Sequence, residues 1–347
     1  MTYANIKKLF SSSSADTSAE LLNNMITDKV NCRLVYVVGD DTDACGAFVS
    51  SVLQKANVRA GRAQSCDGLE ARKLFSAETE FVSPQELCEF TNTVPSPKSF
   101  SKEALSLLFA LDCFGKKGCE AIIFETTEEF FKSTLSKLKI TPDIVIFTSF
   151  EEKTVSDLIT ALPRGVKDAI CFSDLDNYDY ISSKYTNEGT RVSVVSKNKI
   201  NAVKTSFFGT DFYYNSQPYT TRATAPENII HAALALECIS ALSRLGLTFS
   251  KYSLTKGLGC ASLLFDLELF SLSPAIILKA GRFSEEKVAS FLKADTLTII
   301  KEEDIPTSTF HKTVKSLLEQ NNSDILLFSG SLDFIGKIRK ELELIKK

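Results

Sequence analysis

The residues with the clearest capacity for chemistry lie in a short acidic loop near the start of the chain. Residues 33–38 predict a strand, and residues 48–56 carry apolar side chains at helical spacing. The loop between them contains three aspartates flanked by two glycines, and it reads Gly39-Asp40-Asp41-Thr42-Asp43-Ala44-Cys45-Gly46. Backbone N–H groups in a glycine-containing loop before a helix can bind phosphate. Here the three carboxylates would repel a phosphate, although they suit the positive end of the helix dipole.

Two other interpretations of this loop follow from its side chains. Asp41 and Asp43 have the spacing that opens an EF-hand calcium loop, but Val52 stands at the twelfth position, where that loop requires glutamate. A helix N-terminus lowers the pKa of a thiol, so Cys45 could be a reactive thiolate. The neighbouring aspartates act in the opposite direction and favour an inert cysteine. The sequence therefore predicts neither a metal site nor a nucleophile here.

Three further charged residues follow predicted strands. Glu125 comes directly after the apolar run 121–124, and Lys279 and Arg282 follow the run 275–278. A carboxylate at a strand end can hold Mg²⁺, and the two cations could face an anionic ligand across a cleft. Residues of these types are also commonly solvated at the surface. Both interpretations stay open for each residue.

The elements that would position these residues alternate between strands and helices. A capping box at Ser83-Pro84-Gln85-Glu86 begins one helix, and residues 226–245 form the most clearly predicted helix, with Gly246 as its predicted C-cap. Continuous apolar runs, typical of strands covered on both faces, lie at 121–124, 144–147, 169–172 and 192–195. Helical stretches between such strands predict parallel crossover units.

The pattern becomes more compact after Pro274. Strands at 275–278, 296–300 and 325–328 alternate with helices at 284–293, 309–320 and from about Leu332. The sequence therefore predicts an α/β fold of two domains. A central parallel sheet domain is expected at residues 1–273 and a smaller α/β domain at residues 274–347.

Composition and charge exclude several classes of function. A net charge of −3 and a pI near 5.7 give no basic surface for nucleic acid. No apolar stretch is long enough for a signal peptide or a membrane span. Nine cysteines without a CxxC motif indicate reduced thiols in the cytoplasm, and two histidines make a zinc site built from Cys and His improbable.

Several short segments, which keep their order along the chain, resemble folylpolyglutamate synthase of the Mur ligase family. They are Val37-Val38-Gly39, Glu103-Ala104-Leu105, Ile122-Ile123-Phe124-Glu125, Gly209-Thr210-Asp211-Phe212, the helix from Asn228 and Ser329-Gly330-Ser331-Leu332. The resemblance implies a Mur ligase-like fold, in which a P-loop-type central parallel sheet domain precedes a smaller Rossmann-like α/β domain. It also implies a reaction in which ATP phosphorylates a carboxylate and an amine then displaces the phosphate.

The polar residues differ at most positions that this resemblance assigns to catalysis. Asp43 takes the place of the phosphate-loop lysine and Cys45 the place of its serine or threonine, whereas Glu125 matches a glutamate that helps hold Mg²⁺. Exchanging a cation for an anion about 4 Å from a phosphate changes the interaction by about 8 kcal/mol at an effective dielectric constant of about 20. We therefore interpret Gly39, Asp43, Cys45 and Gly46 as a vestigial nucleotide loop.

These departures lead to three hypotheses about function. The first is a pseudo-ligase that needs no cofactor and acts by binding a partner, such as an active ligase, or a small molecule. The second is an active ATP-dependent amide ligase that adds an amino acid such as glutamate to a carboxylate. It would use ATP and Mg²⁺ in a rearranged site, with Lys279 and Arg282 as its cations. The third is a structural role in an assembly.

Overall fold

The computed structural model describes most of the chain. The described residues are 2–10, 17–26, 31–39, 42–64, 71–78, 80–148, 162–175, 178–206, 209–223, 228–263, 267–280, 296–320 and 323–345.

Eight strands form the large sheet. They are β1 (Arg33–Val38), β2 (Ala60–Ala63), β3 (Phe75–Ala77), β4 (Glu80–Phe81), β5 (Ala121–Thr126), β6 (Ile144–Phe147), β7 (Asp168–Phe172) and β8 (Arg191–Val195). Their order is β4-β3-β2-β5-β1-β6-β7-β8. Neighbours from β2 to β8 run parallel, and β3 and β4 are added antiparallel at one edge. The predicted parallel sheet is confirmed, whereas β2, β3 and β4 were not predicted.

Helices cover both faces of this sheet. They are α1 (Tyr3–Leu9), α2 (Ala19–Met25), α3 (Thr42–Lys55), α4 (Pro84–Thr93), α5 (Lys102–Phe109), α6 (Glu128–Ser133), α7 (Tyr178–Asn187), α8 (Asn228–Arg244) and α9 (Lys251–Cys260). Because side chains alternate along a strand, Tyr36 and Val38 of β1 enter the core beneath α5, whereas Val35 and Val37 enter the core beneath α3 and α8. The result is a three-layer domain with a core on each side of the sheet.

Local sequence explains where these helices begin and end. The capping box predicted before α4 is present, because the Ser83 hydroxyl accepts from the Glu86 N–H and the Glu86 carboxylate accepts from the Ser83 N–H. Helix α8 is apolar on most of its surface because it packs against both α3 and β7. It ends at Arg244, and Gly246 follows with φ of +101°, the conformation expected of a glycine C-cap.

A three-stranded antiparallel sheet lies between β8 and α8 in the sequence. Its strands are β9 (Ile200–Ser206), β10 (Gly209–Tyr214) and β11 (Gln217–Thr221), with β10 in the middle. Asn215 and Ser216 form the turn between β10 and β11 with φ of 47° and 62°, as a two-residue hairpin turn requires. From the sequence we recognised in this region only the segment Gly209-Thr210-Asp211-Phe212, through the family resemblance, and none of these three strands was predicted.

The second domain contains a four-stranded sheet and two described helices. Its elements are β12 (Glu268–Leu272), β13 (Ala275–Ala280), β14 (Leu297–Lys301), β15 (Ile325–Gly330), α10 (Phe310–Glu319) and α11 (Leu332–Ile345). The order is β12-β13-β15-β14, with β12 antiparallel to β13 and the others parallel. The predicted boundary after residue 273 falls between β12 and β13, which pair within this one sheet. The helix predicted at 284–293 lies outside the described residues.

The predicted fold class, a large parallel-sheet domain followed by a smaller α/β domain, is confirmed. None of the helices given above has both the length and the apolar composition needed to cross a lipid bilayer.

Candidate functional site

Gly39, the first turn of α3 and Glu125 lie at the carboxyl-terminal edge of the large sheet. Val37 of β1 pairs with Glu125 of β5, and Gly39 follows β1 directly. Beside β5 lies β2, in which Arg62 pairs with Ile123. In open α/β sheets, ligands bind beyond the carboxyl ends of the strands. The structure thus brings the predicted loop residues and Glu125 to the edge where a site would be expected.

Arg62 and Glu125 point to the same face of the sheet. Ile123 of β5 and Ala60 of β2 belong to the core beneath α3. Since side chains two residues apart on a strand share a face, Arg62 and Glu125 also project towards α3. The sheet therefore places a cation and a carboxylate side by side under the first turns of that helix.

These two side chains form a buried ion pair. The Arg62 Nε donates to the Glu125 Oε1 over 2.6 Å, and the side chains are 11% and 0% exposed respectively. The Arg62 Nη2 also donates to the backbone carbonyl oxygen of Asp43 over 2.7 Å. One guanidinium therefore connects β2, β5 and the first turn of α3.

Gly46 is required by the close approach of this ion pair. A Cβ atom at position 46 would lie 2.1 Å from the Glu125 Oε1 and 3.2 Å from the Arg62 Nε. The first distance is far below van der Waals contact, so the buried Glu125 carboxylate would have to move and would disturb its hydrogen bond to Arg62. The close approach of Glu125 thus explains the glycine at position 46 without a phosphate.

Gly39 is required by its backbone conformation. Its φ is +134°, which residues with a Cβ rarely adopt. Its N–H donates to the carbonyl oxygen of Thr126 over 3.3 Å. The adjoining Val38 carbonyl oxygen accepts from both the backbone N–H and the hydroxyl of Thr148, at 3.0 and 3.1 Å. Backbone groups where β1 ends therefore already have partners on β5 and after β6.

Cys45 lies in the core beneath α3. Its side chain has no solvent exposure. Burial raises the pKa of the Cys45 thiol well above its ordinary value, and the nearby Cys238 and Glu125 raise it further. A thiol in these surroundings stays protonated and behaves as a small apolar side chain. The alternative of a reactive thiolate finds no support in this geometry.

Of the remaining predicted residues, the structure describes only Lys279. Lys279 is part of β13 and pairs with Ser329 of β15 in the small sheet. Arg282 lies outside the described residues, as do Asp40 and Asp41. Within the described residues, no group of three or more His, Cys, Asp or Glu side chains is arranged to hold a metal ion.

Sequence reasoning missed Arg62, the residue that contacts both Glu125 and the loop. The strand that carries it reads Ala60-Gly61-Arg62-Ala63 and lacks the apolar run by which the other parallel strands were recognised. One signal was available, since an α/β pattern of strand, helix and strand requires a strand soon after α3.

Taken together, a large parallel sheet with a loop-to-helix turn after β1, followed by a small α/β domain, defines a protein with the Mur ligase fold. Solved structures of folylpolyglutamate synthase share this fold over nearly the whole chain. The enzyme from Lactobacillus casei superposes with a TM-score of 0.80 at 12% identity, covering 99% of this chain and 100% of that one.

Two other solved structures give the same result. The bifunctional folylpolyglutamate synthase/dihydrofolate synthase from Yersinia pestis CO92 has a TM-score of 0.75 at 13% identity, covering 99% of this chain and 98% of its own. The folylpolyglutamate synthase from Thermotoga maritima has a TM-score of 0.79 at 13% identity, covering 98% and 96%. No family model matches the sequence, and no curated protein sequence matches it. At these identities the likeness establishes the fold.

Proposed function

We propose that this protein is a pseudo-ligase: it has the fold of folylpolyglutamate synthase, does not couple ATP to amide formation, and acts by binding a partner protein or a small molecule. The observation that carries the proposal is the buried contact between Arg62 and Glu125. Glu125 is the residue that the family resemblance assigns to Mg²⁺, and here its Oε1 accepts from a guanidinium 2.6 Å away.

The positive charge beside Glu125 does not fit a bound Mg²⁺ ion. An ion on either oxygen of this carboxylate would lie next to the Arg62 guanidinium, or would displace the guanidinium from the Glu125 Oε1. The doubly charged Mg²⁺ ion and the singly charged guanidinium, about 4 Å apart, would repel each other by about 8 kcal/mol at an effective dielectric constant of about 20. Displacing the guanidinium would instead break a buried ion pair. Removing one partner of such a pair destabilises a protein by about 3–5 kcal/mol.

The loop does not fit a nucleoside triphosphate. Asp43 stands in the position of the phosphate-loop lysine, and this inversion of charge disfavours phosphate by about 8 kcal/mol. The Asp43 carbonyl oxygen accepts from Arg62, so the start of α3 is attached to the ion pair below it. The contacts of Arg62 with Glu125 and with the Asp43 carbonyl oxygen stabilise the start of α3, at the position where a phosphate loop would bind its ligand.

An active ligase with a rearranged site is the second candidate. One observation favours it, because Arg62 is a cation close to the loop and guanidinium groups bind phosphate well. Against it, Arg62 is almost fully buried and donates to two oxygen atoms of the protein itself. Lys279 lies in β13, where it pairs with Ser329, and Arg282 lies outside the described residues.

Nucleotide binding and turnover together test the proposal. The purified protein is incubated with ATP, Mg²⁺, a folate and glutamate, with an active folylpolyglutamate synthase as the positive control. We expect no phosphate release above background. We also expect no thermal shift with ATP and Mg²⁺, whereas a ligand at a hundred times its dissociation constant adds about 2.7 kcal/mol of stability. Phosphate release that depends on both the folate and glutamate would overturn the proposal.

A further inference from the structure

A cavity is lined by elements other than the strands that carry Arg62 and Glu125. It has a volume of about 330 Å³ and lies between the β10–β11 hairpin, the later turns of α8 and the segment that leads into α9. This volume is in the range of pockets that bind small ligands. The hairpin forms one wall because its tight turn at Asn215 and Ser216 brings β11 back alongside β10.

One wall of the cavity carries a carboxylate held by a buried phenol. The Tyr214 hydroxyl donates to the Glu237 Oε1 over 2.6 Å, and Tyr214 is 3% exposed. Burial raises the pKa of the Tyr214 phenol, and the hydrogen bond to Glu237 raises it further, so the phenol keeps its proton and donates it. This bond fixes the carboxylate at the cavity while leaving its negative charge in place.

The charge of Glu237 has no counter-charge in the described part of the chain. No ion pair joins Glu237 to a described lysine or arginine, and none of the described residues that line the cavity is a lysine or arginine. A half-buried carboxylate repels anions and attracts cations, and in partly desolvated surroundings the attraction is stronger than in water. The cavity therefore selects for positive charge.

Aromatic rings supply the rest of the recognition surface. Tyr214, Tyr219 and Phe249 line the cavity. The Tyr219 ring packs against Phe212, with ring centroids 5.8 Å apart, so it has a fixed place on β11. Burial raises the pKa of Tyr219, which therefore stays neutral. Neutral aromatic faces attract organic cations, because the ring quadrupole places negative charge on the face.

We propose that this cavity is a binding site for a small organic cation, in particular a quaternary or protonated alkylamine. Glu237, held by Tyr214, provides the charge, and the rings of Tyr219 and Phe249 provide the aromatic surface. Because a single carboxylate and no other acidic side chain or imidazole lines the cavity among the described residues, the arrangement suits an organic cation rather than a metal ion. The site uses different elements from the ion pair of Arg62 and Glu125 and does not depend on whether the protein is a ligase.

The choice of probe separates charge from shape. Choline and its neutral isostere 3,3-dimethylbutan-1-ol have nearly the same volume, and a carbon atom replaces the quaternary nitrogen in the second. Each is titrated into the full-length protein and followed by isothermal calorimetry and by chemical shifts of the protein. We expect choline to bind at least about tenfold more tightly than the alcohol, because only choline gains from the carboxylate and the ring faces. Equal affinities, or no binding of choline, would overturn the proposal.

Three variants locate the site. Glu237→Gln removes the charge and keeps an oxygen acceptor for Tyr214, so choline affinity should fall about tenfold while the alcohol is unaffected. Tyr219→Leu keeps apolar volume and removes a ring face, so choline affinity should fall several-fold. Glu319→Gln, on α10 of the other domain, is the control and should change nothing. Thermal unfolding confirms that each variant is folded, and a Glu237→Gln variant that is folded and binds choline normally would refute the assignment.

Discussion

Removing either charge of the Arg62–Glu125 pair should destabilise the protein strongly. Glu125→Gln takes the carboxylate away from a guanidinium that is 11% exposed, and Arg62→Gln takes the guanidinium away from a carboxylate that is 0% exposed. Because solvent screens neither group, the surface value of about 0–1 kcal/mol per ion pair does not apply. Removing one partner of a buried pair costs about 3–5 kcal/mol. We expect each single variant to lie in that range.

The double variant distinguishes a true ion pair from two independent losses. Arg62→Gln/Glu125→Gln leaves no net buried charge and retains groups that can hydrogen bond. Its loss of stability should therefore be smaller than the sum of the two single losses, by a coupling free energy between about 0.5 and 3 kcal/mol. Urea unfolding followed by circular dichroism measures the free energy of unfolding of each variant. If the slope of this free energy against urea concentration is unchanged, the same surface becomes exposed on unfolding in each variant.

A surface ion pair provides the matched control. Lys116 and Asp112 approach to 2.7 Å, almost as closely as the buried pair, but their side chains are 71% and 39% exposed. Asp112→Asn should therefore cost less than about 1 kcal/mol. If Glu125→Gln and Arg62→Gln cost as little as this control and their effects are additive, the reasoning about the buried pair is refuted.

Three further predictions concern single residues. Gly46→Ala should destabilise the protein by about 1–3 kcal/mol in urea unfolding, because its Cβ would lie 2.1 Å from a buried carboxylate oxygen, and a neutral effect would contradict that geometry. In the native protein, iodoacetamide at pH 8 should modify the exposed Cys260, whereas Cys45 should be modified only after unfolding, as mass spectrometry can show. Although burial raises the pKa of Glu86, hydrogen bonds to Lys117 and Ser83 lower it more, to below its ordinary value of 4.5. The stability from Glu86 is therefore present above pH 4.5 and is lost as the pH falls through the folded-state pKa. Glu86→Gln should destabilise the protein more at pH 7 than at pH 3, and an equal effect at both would contradict this.

The sequence predicted those parts of the fold that depend on buried apolar runs. β1, β5 and β6 consist almost entirely of buried residues, and their Val, Ile and Phe side chains gave a clear signal. β2 did not give this signal because its four residues are Ala, Gly, Arg and Ala. β11 is mostly exposed and polar, so its place in a sheet depends on backbone pairing with β10, which leaves no apolar pattern.

The site was predictable only where residues are close in sequence or match a known motif. Gly39, Asp43, Cys45 and Gly46 belong to one loop, and Glu125 was found through the family resemblance. Arg62 and Glu125 are 63 positions apart, and only the parallel register of β2 with β5 brings them together. Periodicity within one element cannot reveal a contact between two distant elements, and for that reason the partner of Glu125 was missed.

Arg62 distinguishes the two candidate functions better than Gly46 does. A glycine at the start of α3 would serve a phosphate loop, in which backbone N–H groups must approach the ligand, but it equally serves the close approach of the Glu125 carboxylate. A cation can bind a phosphate group only if that group can reach it. Arg62 is 11% exposed and donates to the Glu125 carboxylate and the Asp43 carbonyl oxygen, so a phosphate would have to compete with two oxygen atoms that are already in place. The burial and bonding of this arginine favour a structural role for the loop, and a nucleotide complex in which Arg62 had turned from Glu125 to a phosphate would reverse that inference.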